Sequence, residues 1–418
     1  MKKLFKKIIV AILSWESRLI LKKYKPFIIA VTGSVGKTST KDAIYTLLSP
    51  TCHMRKSEKS FNSEVGVPLT ILGVENGWND PIIWIENIFH GLELIFFRSK
   101  YPECLVLEIG ADHPGDIRSV TEWMKPDISV ITRVSDVPVH VEFFPSADEL
   151  AKEKSYLVKA LKKTGTAVLS ADNERVREMG KLTTPEQKIL TFGITFPATV
   201  SASDIVFNFP TGMSFKLNYE GNSIPVQLKG VLGNQHAYPI LAAVAVGLGK
   251  NISIAKLVEA IGNHVPPRGR MNLIAGINGC TVIDDSYNSS PDALEEALSA
   301  MSKISVPGKK VAVLGDMLEL GKFSPDEHKK AGVLAMKSCD VLVTVGPRSK
   351  LMGEGAVSFD TAMEAAEYVK GIVAPGDAVL VKGSQSMRME RVVKALLLDP
   401  VQAPVLLVRQ EKEWLARV

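Results

Sequence analysis

Residues 28–40 read IIAVTGSVGKTST, and no other stretch restricts what this chain can fold into as tightly. Ile28, Ile29, Ala30 and Val31 form an apolar β-run, and Gly33, Ser34, Val35 and Gly36 make a turn without bulky groups. Lys37, Thr38 and Ser39 then open a helical pattern carried by Ile44, Leu47 and Leu48. A strand, a small-residue turn and a helix N-terminus in direct succession suit a polyphosphate. Backbone N–H groups point at the anion, the small residues let it approach, Lys37 supplies a point charge, and the Thr38 hydroxyl can ligate Mg²⁺. The general phosphate-loop pattern has a Gly five residues before the second one, where this chain has Val31, so the loop is a shortened variant. The bland alternative is a strand–turn–helix whose glycines serve only the turn; Gly-Lys-Thr directly after such a strand argues against it.

A chain of 418 residues exceeds one compact core and implies two or three domains. With 46% hydrophobic and 23% charged residues its composition is that of an ordinary globular protein. Cys52, Cys104, Cys280 and Cys339 lie far apart without a Cys-x-x-Cys pair, which suggests neither a zinc site nor a disulfide framework and fits a reducing cytoplasm. Residues 1–25 hold eight Lys/Arg against Glu16 alone. They carry +7 against +5 for the whole chain, which leaves −2 for the rest. The body is therefore not basic, and no nucleic-acid partner is expected.

Residues 1–24 place Phe5, Ile8, Ile9, Ile12, Leu13, Leu19 and Ile20 on a helical stripe with lysines at both ends. The apolar run Ile8 to Leu13 is far short of the ~20 residues a spanning helix needs. This amphipathic helix either lies on an anionic membrane surface, with Trp15 at the interface, or docks on the protein's own body. The sequence leaves both open.

Further along, KSFNSEVGVPLTIL (59–72) reads as a loop feeding an apolar helix, and Cys104 to Gly110 as a buried strand that ends in the carboxylate of Glu108. That is where a Mg²⁺ ligand belongs in a phosphate-loop domain, although a strand-end cap is the alternative. A strand from Ile128 to Thr132 leads through Arg133 to His140 and then to a helix starting near Ser146, with Glu149 three residues on and Lys154 inside it. Taken alone, His140 and Lys154 are unremarkable. Residues 198–230 have the alternation of a small antiparallel section, and Leu232 to Gly247 returns to helix. His264-Val265-Pro266-Pro267-Arg268-Gly269-Arg270 then reads as an interdomain hinge. Beyond it strands alternate with helices, each strand running into polar residues: Asp284-Asp285-Ser286, Gly315-Asp316, Lys382-Gly383-Ser384. The expected fold class is α/β: a central phosphate-loop domain with a mainly parallel sheet, plus a C-terminal Rossmann-like α/β domain. The expected boundaries are 1–25 for the basic helix, 26–267 for the central domain and 268–418 for the C-terminal domain.

Taken in order, TGSVGKTST, FNSEVGVPLTIL, LEIGADHPGDI, a His followed by a helix Lys, GRM at 269–271, DDSYNSSP, VLGDMLELG and VKGSQSMRMERV resemble the Mur ligases from about residue 27 to residue 396. The resemblance is strongest to the type that adds D-alanyl-D-alanine to a UDP-N-acetylmuramoyl-tripeptide in peptidoglycan precursor synthesis. It implies ATP-dependent amide formation: one substrate's carboxylate is phosphorylated, and the other's amine attacks the acyl phosphate, giving a peptide bond, ADP and phosphate. Carried over by position, Gly33 to Ser39 would hold the ATP phosphates, and Thr38 and Glu108 a first Mg²⁺. His140 would ligate a second Mg²⁺, and Lys154 would be carbamylated into a metal ligand. Arg270 would reach ATP from the hinge, and Asp285 would hold the ribose. The implied partners are ATP, a peptide-bearing muramoyl acceptor and D-alanyl-D-alanine, in a monomeric cytoplasmic enzyme with peripheral contact at the inner membrane face through residues 1–24.

Three departures from the family pattern stand out. Arg133 replaces an Asn after the third strand, asparagines are replaced in 233–239 and 287–291, and about 25 residues of basic helix stand where the family's UDP-gripping domain is expected. Two alternatives therefore stay in view: a ligase for a lipid-linked or non-UDP acceptor, and a nucleotide-binding switch that no longer ligates.

Overall fold

The structure is a computed structural model describing residues 2–58, 61–136, 143–144 and 146–416, with the backbone alone for residues 2–7. In chain order the first half contains α1 (Lys2–Tyr24), β1 (Phe27–Thr32), α2 (Lys37–Leu48), β2 (Met54–Lys56), α3 (Gly66–Leu72), α4 (Pro81–Phe96), β3 (Cys104–Glu108), α5 (Asp116–Thr121), β4 (Ile128–Ile131), α6 (Ala147–Lys159), β5 (Thr166–Ser170), α7 (Glu174–Glu178), β6 (Lys188–Gly193), β7 (Val200–Asn208), β8 (Gly212–Tyr219), β9 (Asn222–Lys229), α8 (Ala237–Gly249) and α9 (Ile254–Ile261). The second half contains β10 (Asn272–Ala275), β11 (Thr281–Asp285), α10 (Pro291–Lys303), β12 (Lys310–Gly315), α11 (Ser324–Ser338), β13 (Val341–Val345), β14 (Val357–Phe359), α12 (Ala362–Ile372), β15 (Ala378–Lys382) and α13 (Glu390–Leu396).

Two sheets result. The first has the order β2-β3-β1-β4-β5-β6-β7-β8-β9, parallel through β7 and antiparallel beyond. The antiparallel section expected at 198–230 is present. It extends the main sheet instead of standing apart, because Phe192 and Gly193 of β6 pair with Val200 and Ser201 of β7. The second sheet, β10-β11-β15-β12-β13-β14, is parallel except at its β10 edge.

Central strands read as unbroken apolar runs because both faces are covered. In β1, Ile29 and Val31 pack with Ile44, Leu47 and Leu48 of α2 and with the alanine-rich α8. Ile28 and Ala30 point the other way, toward α3, α4 and α6. Register puts chemistry at the carboxyl edge of each sheet: Val31 lies opposite Glu108, and Asp285 lies opposite Lys382.

The N-terminal helix docks on the body. Ile9, Leu13 and Ile20 are buried against α3 and α4, so three of the seven stripe residues named from sequence are core, and Trp15 remains half-exposed. Lys23 Nζ donates to the carbonyls of Leu94 (2.8 Å), Ile95 (3.0 Å) and Phe97 (2.5 Å), capping the C-terminus of α4 with a cation. Among the described residues no helix is long and apolar enough to cross a membrane.

At the hinge, His236 Nε2 lies 2.7 Å from the Arg270 carbonyl oxygen, and burial pushes the His236 pKa down to about 3. The imidazole is therefore neutral and donates that bond, tying the start of α8 to the connection between the two sheets.

Candidate active site

Gly33 and Gly36 make the turn after β1 possible. Gly33 has φ +154°, and a Cβ there would lie 1.9 Å from Thr132 Oγ1. Gly36 has φ +83° and sits in the left-handed region directly before α2. The loop is braced from β4: Thr132 Oγ1 donates to the Val35 carbonyl at 2.6 Å, and Ser34 N–H donates to the Arg133 carbonyl at 2.6 Å. Gly33 to Ser39 line a cleft of about 710 Å³ between the two sheets, and Arg270, Asp285 and Lys382 line it from the other side.

Two lysine amines converge on the loop. Lys37 Nζ donates to the Gly33 carbonyl at 3.0 Å, and Lys154 Nζ, from the middle of α6, donates to the same oxygen at 3.1 Å. Burial lowers the pKa of Lys37, with the Glu108 charge opposing. For Lys154, burial and then the neighbouring Lys37 charge push the pKa well below its ordinary value. Two amines crowded on one carbonyl mark a place built for negative charge.

Beneath the loop, Thr38 Oγ1 donates to Glu108, 3.2 Å from Oε1 and 3.0 Å from Oε2. The buried Glu108 carboxylate also accepts from Asn62 Nδ2 at 3.4 Å and lies 3.6 Å from Lys41 Nζ. A hydroxyl beside a fixed carboxylate fits Mg²⁺, which takes few protein ligands and completes its octahedron with phosphate and water. His140, named from sequence for a second ion, lies outside the described residues.

The opposite wall brings Arg270 and Asp285 to the same cleft. The Arg270 guanidinium stacks over Tyr287 at 4.3 Å from the ring centre. Asp285 is paired with Lys382 Nζ at 2.6 Å, and that amine also donates to the Asn288 carbonyl at 3.0 Å. The Asp285 carboxylate is therefore already held by a lysine. Arg133 reaches across to α10, 2.7 Å from Glu296 Oε1 and 3.7 Å from Asp292 Oδ2.

Sequence reasoning missed three of these participants. Asn62 was legible only as a loop residue. Lys41 follows Thr38 by three positions and so shares its helix face, which was an available signal. The Asp285–Lys382 pair joins residues 97 positions apart and becomes visible only in the register of β11 with β15.

The phosphate loop of the first unit and Arg270 and Asp285 of the second thus line one cleft. The sequence profile of the Mur ligase middle domain matches residues 31–247, and that of the Mur ligase glutamate ligase domain matches residues 269–385. The UDP-N-acetylmuramoyl-tripeptide--D-alanyl-D-alanine ligase of Mycobacterium tuberculosis is 31% identical over 402 residues, covering 89% of this chain and 73% of that protein. The Bacillus subtilis ligase of the same name is 27% identical over 384 residues, covering 90% and 76%. Among solved structures, the MurF ligase of Thermotoga maritima in complex with ADP superposes with a TM-score of 0.78 at 26% identity, covering 92% of this chain and 83% of that one. The chain belongs to the Mur ligase family, whose members are ATP-dependent ligases.

Proposed function

We propose that this protein joins D-alanyl-D-alanine to the peptide of a UDP-N-acetylmuramoyl-tripeptide: the γ-phosphoryl of ATP passes to the peptide carboxylate, leaving ADP, and the dipeptide amine displaces phosphate from the acyl phosphate. The observation that carries the reading is the pairing of Thr38 with Glu108 under a loop whose opposite wall presents Arg270 and Asp285, in a chain whose relatives bear that name. The boundary between the two α/β units is placed at residues 267 and 268.

In this reading Gly33 to Ser39 cradle the phosphates with loop N–H groups, and Lys37 leaves the Gly33 carbonyl to meet the outer phosphates. Thr38 and Glu108 would hold one Mg²⁺, which when bound neutralises phosphate charge as it shifts in the transition state. Arg270 lies against the nucleotide from the second unit, and Asp285, braced by Lys382, takes the ribose. His140 and Lys154 belong to a second cation site.

Lys154 suits carbamylation on chemical grounds. Only a neutral amine attacks CO₂: a bond forms from Nζ to carbon, one C=O pair moves to oxygen, and the amine proton leaves, so a cation becomes an anion. Burial and the Lys37 charge favour that neutral amine.

The protein is expected to act as a monomer in the cytoplasm. The test is phosphate release from ATP with acceptor and dipeptide supplied separately and together. Release that requires both supports the reading. Release only with a lipid-linked or non-UDP muramoyl peptide assigns another acceptor, and no release with any acceptor would sink the catalytic role.

A further inference from the structure

Past α13 the chain returns to the hinge, and three successive hinge residues are held there. Arg268 Nη1 donates to the Pro404 carbonyl at 2.8 Å and lies 3.4 Å from the Leu407 carbonyl oxygen. Gly269 sits in the left-handed region at φ +67°, where a Cβ would lie 3.3 Å from Val408 Cγ1, and its carbonyl accepts from Tyr287 N–H at 3.1 Å. Arg270 stacks over the ring of that same tyrosine.

Arg409 is the centre of this contact. Its side chain is only 4% exposed. Nη1 donates to the Ser286 carbonyl at 3.2 Å and to Glu390 Oε2 at 3.1 Å, and Nη2 donates to the Tyr287 carbonyl. The other oxygen of Glu390, which is itself buried, accepts from Arg388 Nε at 2.5 Å, so one carboxylate of α13 anchors the returning segment. Arg409 takes a left-handed backbone at φ +58°, which a residue with a Cβ adopts only where its surroundings hold it. A planar fork that meets two successive carbonyls and a carboxylate is what arginine offers and lysine cannot. The loop it fixes leaves β11 directly after Asp285, and the Tyr287 ring lies 5.5 Å from the Arg409 guanidinium and 4.3 Å from that of Arg270. Glu390 offsets the Arg409 charge, which lets one ring carry both cations.

We propose that Arg409 is a positioning residue for the nucleotide: by fixing the backbone of Tyr287 it holds the ring on which Arg270 lies, and so aims Arg270 into the cleft. A long side chain ordered in advance loses less freedom when its ligand arrives. The inference rests on Arg270 meeting the nucleotide, as in the proposed function. It adds a brace, residues 404–409, that does not line the cleft and lies past residue 385, where the second matched profile ends.

Binding of ADP with Mg²⁺ is measured by calorimetry on the full chain, so no turnover is needed, for the wild type, Arg409→Lys, Arg270→Ala and the double variant. Arg409→Lys keeps a charge beside Glu390 but cannot span both carbonyls. It should weaken ADP binding about three- to thirtyfold, the range for one partly desolvated guanidinium contact. Once Arg270 is replaced by alanine, the same change should cost less than about twofold, because its route to the nucleotide is gone. A lysine that merely loosened the fold would weaken binding equally in both backgrounds. Equal losses, or wild-type affinity in Arg409→Lys, overturn the inference and leave the nucleotide site standing. No ADP binding by the wild type, or no effect of Arg270→Ala, removes Arg270 from the nucleotide and overturns the inference together with that assignment. Should Arg409→Lys fail to fold, Arg268→Ala, an exposed side chain outside the cleft, runs the same cycle by releasing the tie to Pro404 and Leu407. Its loss of affinity should likewise disappear in the Arg270→Ala background, and a loss that persists there, or none in either background, overturns the brace.

Discussion

Glu16 is the most exposed weakness of the α1–α4 packing, although its side chain is wholly buried. Both carboxyl oxygens lack a hydrogen-bond partner among the described residues, and burial raises its pKa from the ordinary 4.5 to about 7. The direction of the consequence follows from linkage. Below pH 4.5 the group is neutral in both states and costs nothing in charge. Between 4.5 and 7 the unfolded chain releases a proton that the folded chain keeps, so stability falls as pH rises. Above 7 the loss is complete. Glu16→Gln, an isostere of the neutral acid, removes that penalty at every pH. From the two pKa values its advantage is below about 1 kcal/mol at pH 5 and about 3 kcal/mol at pH 8. Urea unfolding followed by tryptophan fluorescence reads it well, since Trp15, Trp78 and Trp84 all lie on or beside these two helices. A difference that stays constant from pH 5 to pH 8, or a variant less stable at pH 8, would refute the burial of a proton-holding carboxyl here.

Three further outcomes are expected. Lys37→Ala should abolish ATP turnover while leaving the thermal unfolding curve near wild type, because the side chain braces a loop carbonyl and no core; wild-type turnover would be incompatible with the phosphate loop. Lys154→Ala should lose activity and regain part of it with added short carboxylic acids that fill the vacated space, and full activity without them would remove Lys154 from the metal site. Lys382→Met should destabilise the protein by about 3–5 kcal/mol in a denaturant titration, since it strands the buried Asp285 carboxylate; a loss under 1 kcal/mol would mean that water reaches Asp285.

The parts of this fold that were legible are those whose signal is local. The apolar run before TGSVGKTST, the carboxylate ending β3 and the polar residues after β11, β12 and β15 can each be read from a dozen neighbouring residues. Helix α4 was not read. Its apolar residues occupy both the side that meets α1 and the side left to solvent, so periodicity tells the two apart only once α1 is in place. The fate of the α1 stripe was undecidable for the same reason: an amphipathic helix carries no mark of what it will lie against. Glu108 stands out in the sequence as a candidate metal ligand, whereas its neighbours Lys41 and Asn62 do not, because their convergence depends on how α2 and the loop after β2 pack beside β3.

The Arg133 bridge to α10 has a bearing on how often the cleft stands open. It joins the phosphate-loop side of the first unit to the first turns of a helix in the second, and opening at that edge must part it. Because Arg133 is 41% exposed, the pair is worth about 0.2–1 kcal/mol. That makes it a bias and not a lock: it shifts the ratio of closed to open molecules by a factor of about 1.4 to 5. Removing the pair, by Arg133→Ala or by screening it with added salt, therefore moves that ratio by no more than this factor.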